Sequence, residues 1–188
     1  MATVYYTAST LDGFLATPEH SLDWLFAVEH EPGLEADMAA FTDSVGALVM
    51  GSSTYRWVYE HDDLAARPEQ WREWYGERPA WVLTHREQPV VAGADIRFTQ
   101  APVARVHAEA TAAAGERDVW VLGGGEVVGQ LADEGLLDRL VVTIAPVTLG
   151  AGAPLLPRVL ESDRLTLTHV QRSGQLVSLT YDVGPLPR

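Results

Sequence analysis

The sequence predicts an α/β fold of three layers, α/β/α, built on a mixed, mainly parallel sheet that closes with a C-terminal antiparallel hairpin. Three observations predict it. Short apolar runs of strand length alternate with helix-periodic stretches over most of the chain. Two of those runs pass straight into glycine and then into a helix start, at Gly51 and at Gly123. The last two β-rich runs are separated by Ser173-Gly174, a hairpin signal. Alternating strands and helices followed by a hairpin place helices on both faces of a mixed sheet.

Each element follows in order. Residues 3–9, rich in Val, Tyr and Thr, form a first strand. Residues 34–42 carry Leu34, Met38 and Phe41 at helical spacing. Residues 44–50 are a buried strand closed by Gly51, and a helix starts at Ser52 with hydroxyls available as caps. Residues 68–75, with three aromatic side chains, are a helix or an irregular excursion. Residues 80–84 and 118–122 are buried strands, with a helix over 103–114 between them. A helix over 125–134 leads into a strand over 140–147 that ends at Pro146 and Gly150. Strands over 165–171 and 176–183 make the closing hairpin. At 188 residues, one domain spanning 1–188 is the expectation.

Composition excludes several classes of function. A formal net charge of −13, with no arginine cluster, opposes nucleic acid and anionic lipid. There is no cysteine, which removes disulfides, thiolate metal sites and a Cys nucleophile together. The six histidines show no pair at metal-ligand spacing, so no metal is expected. No apolar run reaches the ~20 residues of a membrane span, and the N-terminus lacks the pattern of a signal peptide. The cytoplasm is the expected compartment.

Three strand ends carry groups suited to an anion. The run into Gly123-Gly124-Gly125 joins a strand to a helix start, where backbone approaches a ligand closely and free N–H groups favour a pyrophosphate. A tight turn needing positive φ is the competing explanation. Gly123, Gly125 and Gly129 also match a variant dinucleotide fingerprint, although that fingerprint normally opens a βαβ unit and most of the chain precedes it here. Gly51-Ser52-Ser53-Thr54 is a second phosphate cradle or a simple N-cap cluster. Thr84-His85-Arg86 is a third group, reading as a phosphate-monoester site or a solvated loop. Open sheets bind ligands beyond strand ends, so the three together weigh more than each alone.

These segments, with 8–16, Asp23-Trp24-Leu25, Met50-Gly51-x-x-Thr54-Tyr55 and 137–152, occur in one order that resembles the dihydrofolate-reductase-like superfamily. The chain is most similar to stand-alone proteins like the reductase domain of the bacterial riboflavin bifunctional deaminase-reductase. The resemblance implies an NADPH-dependent reductase acting on a small heterocyclic (pterin- or pyrimidine-like) or carbonyl substrate, and a homodimer. It implies that backbone at Ala8 and Leu15 meets the nicotinamide carboxamide. Gly51, Ser53 and Thr54 would flank the pyrophosphate on one side, and Leu122, Gly124, Gly125 and Glu126 on the other. Thr84, His85 and Arg86 would lie near the adenosine 2′-phosphate. Ser52 stands where the family usually has Arg, which lowers the expected preference for NADPH over NADH.

At the substrate end, the resemblance implies that Asp37 is the proton-delivering acid, buried and so raised in pKa, with Thr143 supporting it. Asp37 lies two residues closer to the second motif than in the family. Trp24 and Phe41 read as core or as a substrate platform. Trp57, Trp71, Trp74 and Trp81 could wall a pocket or form a subunit contact. A non-catalytic nucleotide- or small-molecule-binding protein on the same scaffold is the alternative, favoured by Ser52 and by the displaced acid.

Overall fold

The computed structural model describes residues 1–29 and 33–186, without the side chains of 33–35, so the expected apolar role of Leu34 lies outside the described residues. The first strand, β1 (Thr3–Thr10), is followed by a short β2 (Phe14–Ala16) and two helices, α1 (Asp23–Phe26) and α2 (Gly33–Ser44). Then come β3 (Val45–Gly51), α3 (Ser52–His61), α4 (Glu69–Tyr75), β4 (Ala80–Leu83) and β5 (Ile96–Thr99). The second half runs α5 (Val103–Ala114), β6 (Asp118–Gly123), α6 (Gly125–Asp133), β7 (Arg139–Ala145), β8 (Ala153–Pro154), β9 (Leu165–Ser173) and β10 (Leu176–Val183). The main sheet has eight strands in the order β5-β4-β3-β6-β1-β7-β10-β9, and β2 pairs with β8 in a second, two-stranded sheet. The strands from β5 to β7 are parallel; β10 and β9 are antiparallel.

Side-chain alternation along the strands builds two cores, one on each face. Ala47 and Val49 of β3, with Val119 and Val121 of β6, face α5 and α6. Leu48 and Met50, with Trp120 and Leu122, face α2, α3 and α4. On α6, Val127, Val128, Leu131 and Ala132 are buried, and each large apolar side chain removed from water contributes about 1.5–3 kcal/mol. Trp71 and Trp81 are core residues, Phe41 packs against the core, and Trp74 is exposed. Among the described residues no helix is long and apolar enough to cross a membrane.

The chain order sets the position of the site. From β3 the chain moves outward through β4 to β5, then returns through α5 to insert β6 between β3 and β1. Ligands of open α/β sheets bind outside the carboxyl ends of the strands where the order reverses in this way.

Candidate active site

The register brings the two glycine motifs to the same height. Met50 lies beside Gly123, and Gly51 beside Leu83. A methyl group placed on Gly124 would sit 3.7 Å from the Gly51 Cα. The stretches 51–54 and 123–126 therefore form one slot, as the strand-end reading requires.

The three consecutive glycines are needed for three different reasons. At Gly123 an added Cβ would stand 3.0 Å from the Thr54 hydroxyl, so glycine lets α3 approach β6. Gly124 has φ +87°, a conformation that L side chains avoid. At Gly125 an added Cβ would lie within 2.8 Å of the Leu155 carbonyl oxygen and nearer still to that of Pro154. Gly129, the third position of the dinucleotide fingerprint, meets the Arg158 side chain instead, at 2.9 Å. The fingerprint reading is corrected: α6 needs Gly129 to seat an arginine.

Gly51 and Gly124 are the N-cap residues of α3 and α6, and neither helix has a side-chain cap bond. First-turn N–H groups have no intrahelical acceptor, and the helix dipole adds positive potential there. Two such termini meet at the slot. Glu126, in the first turn of α6, would oppose an anion, but Arg158 binds its carboxylate at 2.7 Å and also reaches Asp133 at 2.7 Å. The Arg158 guanidinium, ahead of Gln130, holds the Glu126 carboxyl below its ordinary range.

Three contiguous clefts continue the slot. One of about 490 Å³ is lined by Gly51, Ser53, Thr84, His85, Gly124 and Glu126, among others. A second, of about 510 Å³, takes in Ala8, Leu15, Thr54, Leu122, Gly125 and Glu126. The third, of about 470 Å³, lies over Tyr6, Trp57, Trp120, Leu122 and Thr143. Ser53, Gly124 and Glu126 are shared by the first two, and Ala8, Thr54, Trp57 and Leu122 by the last two. Arg86 faces elsewhere: with Ser52, Ser53 and Arg56 it lines a neighbouring cavity of about 600 Å³. Gln88 links the two, since Arg56 donates to it at 3.4 Å and it donates to the Thr84 hydroxyl at 3.2 Å.

The turn that leads into β2 and Leu15 is fixed by Asp12. Its carboxylate accepts the N–H groups of Leu149 and Gly150, at 3.0 and 2.7 Å, and the Thr10 hydroxyl at 2.5 Å. The Thr10 hydroxyl, then the Gly150 N–H, hold this carboxyl below its ordinary range. Leu155 donates to the Gly13 carbonyl at 2.9 Å, and the Tyr5 hydroxyl donates to the Leu155 carbonyl at 3.2 Å.

The substrate end departs from expectation. Asp37 is exposed, not buried, and its carboxylate accepts a 2.5 Å bond from Gln171 on β9. It lines none of the clefts described here. Thr143 is buried but its hydroxyl bonds Ser178, at 2.7 Å, rather than Asp37. The physical reason is the face of α2 on which Asp37 falls, turned toward the sheet edge at β9. Sequence reasoning missed Tyr6 and Arg56 as cleft residues, and it left Trp57 as either a pocket wall or a subunit contact. Trp57 stacks on His61 at 4.4 Å and walls three cavities; its helical phase relative to Ser53 and Thr54 was the available signal.

Comparison with known proteins agrees with this architecture. The Bacillus subtilis protein YwjB, uncharacterized, is 27% identical over 185 residues, covering 95% of this chain and 96% of that protein. A putative riboflavin biosynthesis protein from Shewanella sp. PV-4 superposes with a TM-score of 0.75 at 26% identity, over 97% of this chain and 99% of the other. The dihydrofolate reductase of Enterococcus faecalis, solved with NADP(H), gives 0.61 at 17% identity, over 97% and 96%. The fold is dihydrofolate-reductase-like. A model of the RibD C-terminal domain matches residues 3–179, and the chain belongs to that family.

Proposed function

We propose that this protein is a cytoplasmic NADPH-dependent reductase of a small heterocyclic or carbonyl compound. The observation that carries the reading is the slot itself: two uncapped helix termini meet at Gly51 and Gly124, with clefts continuing on both sides. The residues present fit a dinucleotide, because the glycines admit backbone and the helix starts supply donors. Bound NADPH would supply hydride from its nicotinamide ring.

The chain's own residues bind and orient. Ser53 and Thr54 hydroxyls and the N–H groups of Gly125 and Glu126 hold the pyrophosphate; Gly51, Leu122 and Gly124 keep the slot open. Backbone at Ala8 on β1 and Leu15 on β2 fixes the carboxamide, the turn between the two strands being tied down by Asp12. Thr84 and His85 face the adenosine phosphate, with Arg86 reaching it from the adjoining cavity. A homodimer belongs to the same proposal, with β9, one of the two edge strands of the main sheet, presenting Leu167 and Val170.

Thermal melting tests the reading. At a hundredfold excess over its dissociation constant, NADPH stabilises by about 2.7 kcal/mol by mass action, and NADH serves as control. No rise in Tm at millimolar NADPH would sink it. The exposed carboxylate of Asp37 favours the second reading, a non-catalytic binding protein. Under that reading Tm rises but no carbonyl or pterin compound is turned over.

A further inference from the structure

The third cleft has walls of carbon and a floor of hydroxyls. Phe26, Trp57, Trp120 and Leu122 wall it, and the hydroxyl-bearing residues Tyr6, Thr54 and Thr143 belong to its lining. Among the described residues it is lined by no Arg, His, Asp or Glu. Sheet register explains the floor. Ala8 lies beside Thr143, Thr143 beside Ser178, and Ser178 beside Gln171, one row across four strands.

Tyr6, two residues before Ala8, points to the same face of β1. Its ring packs on Phe41 at 4.8 Å, and its carbonyl accepts the Trp120 indole N–H at 3.1 Å. Its phenol adjoins the Thr143 hydroxyl, which in turn bonds Ser178 at 2.7 Å. The other end of the row is where Gln171 holds Asp37.

We propose that Tyr6 hydrogen-bonds and protonates the substrate oxygen, and that the substrate is an uncharged planar carbonyl compound without a phosphate. This rests on the reductase reading above. In the reduction C=O becomes CH–OH. The carbon takes hydride from NADPH, which is oxidised to NADP⁺. The oxygen takes the Tyr6 proton, which water replaces by way of Thr143 and Ser178. Burial first, then the charge of Asp37, pushes the phenol pKa up, which opposes ionisation; the transfer still runs downhill because the alkoxide formed by hydride addition is more basic than a phenolate. A phosphate in this cleft would be desolvated with no cation among the described lining residues to offset the cost.

Quenching of Trp57 and Trp120 fluorescence in the full chain, with and without NADP⁺, gives the test. The probes are 2-naphthaldehyde, naphthalene and 2-naphthyl phosphate. The aldehyde should bind at least about tenfold more tightly than the phosphate ester. Tyr6→Phe should weaken aldehyde binding about tenfold, leave naphthalene and the NADPH melting shift unchanged, and lower kcat on carbonyl substrates about 100-fold. Should Tyr6→Phe not fold, Thr143→Val must show the same aldehyde-specific loss. Equal binding of the ester, or aldehyde binding indifferent to both variants, overturns the proposal. Failure of wild-type protein to respond to NADPH overturns the parent reading instead, whatever the naphthaldehyde titration gives.

Discussion

At Asp12 one exposed carboxylate gathers donors from the end of β1 and from one distant loop, and this has a defined pH signature. Its folded pKa lies below the ordinary value of 3.8. The bonds to Leu149 and Gly150 therefore contribute at pH above that value and are lost as pH falls through the folded pKa. Amide protection at 149–150, measured against the intrinsic exchange rate at each pH, should fall below about pH 4, while Asp12→Asn shows low protection there at neutral pH and weaker NADPH binding. Slow exchange in the variant at pH 7 would remove Asp12 from this role. Individual residues were unevenly legible in the sequence. Motif order located Ala8, Thr54 and Gly124, because backbone spacing along a strand or turn survives translation into space. The environment of Asp37 was not legible: its partner Gln171 is 134 positions away, and helical spacing does not tell which neighbouring element a face meets. Tyr6 read only as a strand former, since alternation assigns it a face without saying that a cleft opens above it.

Among elements, α6 shows the cost of a close approach. Gly125→Ala would push a methyl into the carbonyls of Pro154 and Leu155. Overpacking of this kind costs about 1–3 kcal/mol, which in a chain of this length lowers Tm by about 5 °C. An unchanged Tm would mean that the 154–155 segment yields freely. On α3, Ser52 and Arg56 are one turn apart and share a cavity with Arg86. Arg56 is therefore placed to supply a cation near where Ser52 lacks one. Arg56→Ala and Arg86→Ala should each narrow the ratio of NADPH to NADH affinity; an unmoved ratio would exclude the substituted residue. The long periodic elements matched expectation, and α5 spans the predicted 103–114. Four short ones, β2, α1, β5 and β8, were not foreseen. At two to four residues each, they are too short to repeat a period often enough to reveal it.

At the scale of the whole molecule, the sequence contained strand positions but not strand order. Nothing in residues 118–123 says that β6 inserts between β3 and β1; the parallel registers display it. One consequence follows from the small β2–β8 pairing. Phe14 stands opposite Pro154, so the rim of the slot is stitched from opposite ends of the polypeptide, apart from the eight-stranded sheet. Because the pair shares no ladder with the main sheet, its opening is expected to need no unfolding of the scaffold. Occupancy of the slot would then be felt as a joint slowing of amide exchange at residues 13–16 and 153–155, two patches that no local motif connects.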